Sequence, residues 1–205
     1  MRIVVPGEMI ADSPKEISYA YIDGDKTYSS VVGLFSEQDL RLIPLQGPYV
    51  PITEDVVVGV VEDVKFAGYN MDITSPYKGF LLAKECGREQ FDLGDIVLAK
   101  VRDVDEVKNV NLIEPRKLLN GEIIEISSVK VPRVIGKKSS MLEMIKAATK
   151  CEIHVGKNGR IWIKGQNSAT ATRAILKIEK EAHTDGLTDR IGAFLKEQTG
   201  DINGQ

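Results

Sequence analysis

Histidine, cysteine and tryptophan are almost missing from this chain, at two, two and one in 205 residues. His154 and His183 have no serine, cysteine or carboxylate beside them in a triad-like arrangement, so nucleophilic catalysis has no visible seat. Cys86 and Cys151 lie far apart, which leaves no C-x-x-C or Cys/His cluster for a zinc ribbon. A disulfide between them is disfavoured in a reducing compartment, and each reads as a small apolar filler. Walker, HExxH and dinucleotide fingerprints are missing as well. Acidic neighbours such as Glu62-Asp63 fall on an expected strand, where successive side chains point apart and do not converge on one metal. The sequence therefore calls for no metal and no cofactor. No apolar run approaches the ~18 residues of a membrane helix. The opening "MRIVVPGEMIADS" is broken by Pro6, Gly7 and Glu8, too early for a signal peptide. A cytoplasmic protein with no membrane partner is expected.

What is present is an ordinary globular mix, 42% apolar and 28% charged, with a net charge of −3. That sum hides a gradient. Residues 1–55 hold four Lys/Arg against nine Asp/Glu, whereas residues 121–205 hold fourteen against ten. Between Lys130 and Lys164 nine basic side chains face only two acidic ones. A local positive field of this kind is what a phosphate backbone feels. Read on charge alone, it is equally a solvated face.

The pattern of turns divides the chain. Short strand-like runs, "RIVV", "ISYAYI" and "YSSVVGLF", surround a hairpin signal at Asp23-Gly24. They form a small β unit over residues 1–52, closed by a stretch rich in proline and glycine, Pro44 to Pro51. Residues 53–118 carry five more runs, "VVVGVVEDVKF", "GYNMDI", "KGFLLA", "DIVLAKVRDV" and "NVNLI", without helical period. Five short strands separated by turns suggest a small closed barrel, with Gly59 and Gly68 at bends or bulges. Residues 119–205 change character. A strand, "GEIIEIS", leads to an amphipathic helix with Met141, Met144, Ile145 and Ala148 on one face. An Asn158-Gly159 hairpin follows, then a helix with Ala171, Ala174, Ile175, Ile178 and Ala182 in register. A trailing helix presents Leu187, Ile191, Phe194 and Leu195. The segments "PGEMI", "LGDIVLA" and "NGEIIEI" echo one another, each as a turn entering a strand.

The chemistry concentrates in "VPRVIGKKSSMLEMIK", Val131 to Lys146. It nearly spells the Gly-x-x-Gly loop with which KH modules hold single-stranded RNA between two helices. Gly136 is present, Lys137 and Lys138 fill the variable positions, and Ser139 replaces the second glycine. Ser140-Met141-Leu142-Glu143 matches a capping box, which makes Ser140 the expected N-cap. The stretch reads either as an RNA grip or as a helix start with charges nearby. Lys157 and Arg160 flank the hairpin turn and could reach phosphates, with exposed turn charges as the alternative, and Arg133 beside the loop is a further RNA-binding candidate. Ile135, Ile153 and Val155 could floor a base-binding groove or simply be core. Trp162 alternates with Ile161 and Ile163 and reads as packing. In the barrel, OB-type recognition would use aromatics framed by bases. Lys65, Tyr69, Tyr77 and Lys78 are the candidates, while Phe66 reads as core.

Taken together, "VPGEMI", "VVGVVEDVKFAGYNMDITSPYKGFLLA" and "NGEIIEISSVKVPRVIGKKSSMLEMIKAATKCEIHVGKNGRIWIKG" resemble the RNA-binding cap subunit of the archaeal RNA exosome, over residues 1 to about 185. "GVVEDV", "DITSPYKG" and "VPRVIGKK" are the most specific stretches. The resemblance implies an α+β multidomain protein, with an N-terminal β domain, an OB barrel of the ribosomal-protein-S-one type and a KH domain with a trailing helix. It implies a non-catalytic role. Three such subunits, alone or mixed with a zinc-ribbon sibling, would sit on a hexameric ribonuclease-PH-like ring and feed it single-stranded RNA 3′ ends, adenine-rich tails among them. The N-terminal domain would dock on the ring. Two departures stand out, Ser139 in the loop and the order Gly68-Tyr69-Asn70 where the barrel's second strand usually carries its aromatic. A free-standing transcription or translation factor with the same modules is the second reading, and an autonomous nuclease a third.

Overall fold

The computed structural model describes residues 2–45, 47–182, 184 and 186–200, with residues 199 and 200 described by their backbone only. His183 lies outside the described residues. The chain divides into two compact units, 1–48 and 49–205. Among the described residues no helix is long and apolar enough to cross a membrane.

The first unit is all strand. Its elements are β1 (Arg2–Val4), β2 (Met9–Ala11), β3 (Ala20–Asp23), β4 (Lys26–Ser29), β5 (Gly33–Ser36) and β6 (Arg41–Pro44). They form two antiparallel sheets, ordered β1-β5-β6 and β2-β4-β3. Val4, Ile10, Phe35 and Leu42 make the core. The expected hairpin is present one residue on. Asp23 pairs with Lys26, so the turn is Gly24-Asp25, with Gly24 at φ +59°. "YSSVVGLF" is two strands rather than one. Ser29 is buried and turns its hydroxyl onto the Val31 carbonyl at 2.7 Å, which ends β4 before Gly33 starts β5.

The second unit begins with the barrel. Its strands are β7 (Val56–Lys65), β8 (Gly68–Asp72), β9 (Lys78–Leu82), β10 (Ile96–Val104) and β11 (Asn109–Leu118). The order β7-β8-β9-β11-β10 closes back onto β7. All pairs are antiparallel except β9 with β11. Val57, Val61, Met71, Leu81, Val97, Val101, Val110 and Leu112 fill the interior. The glycines expected to bend the barrel instead permit close approach. A Cβ on Gly59 would come within 2.6 Å of the Met71 Cε, and one on Gly68 within 2.2 Å of the Leu81 carbonyl oxygen. The register shift of β7 falls between Val61 and Asp63. The last strand runs past the expected "NVNLI" to Leu118 because Glu114, at φ +53°, sets Pro115 inside a register break.

The remaining elements are β12 (Glu122–Glu125), α1 (Val131–Ile135), α2 (Ser140–Thr149), β13 (Glu152–Val155), β14 (Arg160–Lys164), α3 (Ser168–Glu181) and α4 (Leu187–Gly200). The sheet order is β12-β14-β13, all antiparallel. The helical periods read in the sequence close its core. Met141 and Ile145 of α2, the small and branched face of α3, and Leu187, Ile191 and Leu195 of α4 are buried together. Cys86 and Cys151 are buried and free. β2, β10 and β12 begin one or two residues after Gly7, Gly94 and Gly121, so the echoing segments are indeed strand entries.

Barrel and sheet share a joint. Trp162 packs with Val58 and Leu118, against Ile96, Leu98 and Ile123. Gly121 makes room for it, since a Cβ there would lie 2.2 Å from the indole. Asn158, in the β13–β14 turn, is buried between the two. Its amide donates to the carbonyls of Val58 at 2.8 Å and Ile73 at 3.0 Å and accepts from the Val58 amide at 3.2 Å. The Lys157 amide donates to the Val56 carbonyl at 2.8 Å.

Candidate nucleic-acid interface

The loop after α1 is more crowded than its sequence suggests. Gly136 sits at φ 75°, ψ 175°, a conformation a side chain resists, and a Cβ would meet the Met141 amide at 2.8 Å. Lys138 (φ 52°) and Ser139 (φ 63°) follow, both left-handed. The expected capping box is not formed. Ser140 is already helical at φ −58°, ψ −38°, and Ser139 precedes the helix without a side-chain cap bond. Ser139 thus occupies a left-handed position that suits glycine. The loop also uses its own amides. Gly136 donates to the Pro132 carbonyl, Ser139 to Gly136 and Ser140 to Lys137. What faces solvent is charge. Arg133, Lys137 and Lys138 are exposed, and among the described residues none of them pairs with a carboxylate.

The hairpin residues divide. Lys157 turns its side chain to solvent while its amide holds the joint. Arg160 is 8% exposed, and each of its three guanidinium nitrogens donates within the chain. Its guanidinium meets Asp72 at the carboxylate (2.5 Å) and the carbonyl (2.8 Å), and Glu125 at 2.7 Å. Burial works against the Arg160 charge, but the carboxylates outweigh it and raise its pKa further. Arg160 is thus a joint residue, buried against Asp72 and Glu125, whereas the sequence reading placed it at an exposed turn. Ile153 is buried, and Ile135 and Val155 pack against the same core, so the proposed groove floor is largely core. His154 bonds Glu152 at 2.9 Å and lies 5.5 Å from the Trp162 ring.

On the barrel, Tyr69 turns inward at the rim. Its ring meets Phe91 edge-on at 5.3 Å and its hydroxyl accepts from the Phe91 amide at 3.5 Å. Tyr77 is half-buried with the Lys108 ammonium 5.7 Å from its ring, beside exposed Lys78. Lys65 is exposed, 3.7 Å from Asp63. Phe66, expected in the core, is fully exposed in the β7–β8 turn, because Lys65 and Gly68 pair and leave it outside the ladder. The aromatic that faces outward from a strand is Phe80. Its neighbours Gly79 and Leu81 are buried, and Phe80 belongs to none of the apolar clusters. Alternation in "KGFLL" carried that signal, masked in the sequence by three further apolar or small residues around it.

Comparison with known proteins settles the family. A family model described as the exosome RNA-binding protein RRP4 N-terminal domain matches residues 1–46, and one described as a KH domain matches residues 121–169. A protein of Methanosarcina mazei named exosome complex component Rrp4 is 44% identical, covering 96% of this chain and 82% of the relative. One of the same name from Methanothermus fervidus is 46% identical over 94% of each chain. This chain belongs to the Rrp4 family. A solved structure described as an exosome complex RNA-binding protein superposes with a TM-score of 0.68 at 35% identity, over 77% of this chain and 99% of that one. The Rrp4 relationship spans both units, and the matched KH segment contains both the basic loop and the hairpin that holds the joint.

Proposed function

We propose that this chain is a non-catalytic, RNA-binding cap component of an exosome, which captures single-stranded RNA and passes its 3′ end to a ribonuclease-PH-like ring. The observation that carries the reading is the Rrp4 relationship over nearly the whole chain, joined to the unpaired cations Arg133, Lys137 and Lys138 around the loop. Residues 1–52 dock on the ring, residues 53–118 and 119–205 meet RNA, and three copies surround the entry. Capture is electrostatic. Lysines displace counterions from phosphates, and triple display raises the local concentration of sites.

The test is reconstitution. The isolated chain should bind single-stranded RNA weakly, with affinity falling steeply as salt rises, and should speed degradation by the ring. A chain that neither joins the ring nor changes its degradation rate sinks the reading, and RNA products from the chain alone would sink its non-catalytic part. Stable association with the ring also separates this role from that of a free-standing factor.

A further inference from the structure

The chain carries three Asn-Gly pairs, Asn120-Gly121, Asn158-Gly159 and Asn203-Gly204, and the last lies outside the described residues. Such a pair is open to attack on itself, because a glycine amide reaches the preceding side chain with no side chain of its own in the way. The fold treats the other two pairs in opposite ways. Asn158 is 2% exposed, and its side-chain nitrogen is committed to the Val58 and Ile73 carbonyls. The Gly159 amide donates to the Gly156 carbonyl at 3.1 Å, so the nitrogen that would attack is held as well. Asn120 has none of this. It is exposed, and among the described residues neither its side chain nor the Gly121 amide has a hydrogen-bond partner. It stands in the three-residue link, 119–121, between β11 and β12. The strands on either side of that link send Leu118 and Ile123 against Trp162, and Gly121 itself abuts the indole.

We infer that Asn120 is a site of spontaneous deamidation, and that its β-linked product loosens the joint between barrel and sheet. The Gly121 nitrogen attacks the Asn120 side-chain Cγ. A proton leaves that nitrogen for solvent, the bond from Cγ to the side-chain nitrogen breaks, and ammonia departs. A five-membered succinimide remains. Water then opens the ring at either carbonyl. Opening at Cγ gives an ordinary aspartate. Opening at the main-chain carbonyl gives isoaspartate, in which the chain runs through Cβ and Cγ. Water is the only co-reactant, and nothing is oxidised or reduced. The second product matters here, because it adds one carbon to the main chain directly before Gly121. A Cβ on Gly121 would already lie 2.2 Å from the indole, so there is no slack on that side. The extra length drives Gly121 against its neighbours or spreads Leu118 from Ile123, and either change unseats the indole.

The experiment ages the full chain in warm, mildly alkaline buffer and maps the Asn-Gly pairs by peptide mass spectrometry, with a sample in urea alongside. In the folded chain Asn120 should deamidate about 10-fold or more faster than Asn158, the factor that opening two or three hydrogen bonds imposes. In urea that gap should close. A protein-isoaspartate methyltransferase with a labelled methyl donor should mark the peptide around Asn120. Trp162 is the chain's one tryptophan, so its emission reports on the joint. Emission of the aged chain should move to longer wavelength in step with the methyl label. Fresh Asn120→Asp carries the same added charge on an ordinary backbone and should emit like the unsubstituted chain. Asn120→Gly accepts the φ of 60° at this position and has no amide to lose, so its emission should hold through ageing. Equal deamidation of Asn120 and Asn158 in the folded chain, or faster loss at Asn158, overturns the site. Emission that stays put while isoaspartate accumulates at position 120 overturns the loosened joint, and so does an equal shift in aged Asn120→Gly.

Discussion

Ser139 carries an unusual burden for one residue. It holds a left-handed backbone at φ 63° directly before α2, offers no side-chain bond to the helix, and sits beside Lys138, left-handed as well. An L-residue in that region is disfavoured by ~1–2 kcal/mol, part of which glycine gives back through its freer unfolded chain. Ser139→Gly is therefore expected to stabilise the protein by about 0.5–1 kcal/mol, seen as a higher urea midpoint. An unchanged or lower midpoint would mean that the serine side chain stabilises the folded chain by at least as much as its left-handed backbone costs. The same variant reads the clamp. A large gain in RNA affinity would show that the serine side chain keeps the phosphodiester at a distance, and no gain would leave Lys137 and Lys138 as the loop's contribution.

At the scale of elements, the β13–β14 hairpin is the part that sequence reasoning understood least. Its Asn-Gly turn was legible, and so was the alternation of Ile161, Trp162 and Ile163. The use of the turn was not, because Asn158 and Arg160 find their partners some 85 to 100 residues away on the barrel, beyond any local pattern. The helices show the opposite case. Their apolar period depends only on the chain itself, and the faces read for α2, α3 and α4 are those the core buries or half-buries. The Arg160–Asp72 contact makes a prediction about pH. Burial pushes the Asp72 carboxyl up, while the Thr74 amide and the Arg160 guanidinium pull it down and prevail, below the ordinary 3.8. A depressed native pKa stabilises the fold above the unfolded value and loses that contribution as pH falls through the native one. Asp72→Asn should therefore be less stable than the unsubstituted protein near pH 6, by a gap that narrows by about pH 3. A gap of constant size in urea titrations at both pH values would assign the difference to packing rather than charge.

For the whole molecule, charge is sorted along the chain, with acid gathered in the first unit and the strongest positive run in residues 130–164 of the second. This suits the proposed division between a docking end and an RNA end. The family resemblance was legible from its three most specific stretches because each holds a glycine where the backbone leaves little choice, Gly59 and Gly79 against β8 and Gly136 against α2. The tryptophan at the joint has a further consequence, for how such a chain can be cut or recombined. A fragment beginning at residue 119 would bare an indole otherwise 2% exposed and strand the Asn158 amide without its carbonyls. Such a fragment should bind a hydrophobic dye and melt without a sharp transition, whereas residues 49–205 should melt cooperatively; a sharp melt of the short piece would refute this. The smallest portable cassette is then the barrel and the sheet together. Swaps between relatives that move the RNA-gripping loop without the barrel beneath Trp162 transplant a key with its bow sawn off.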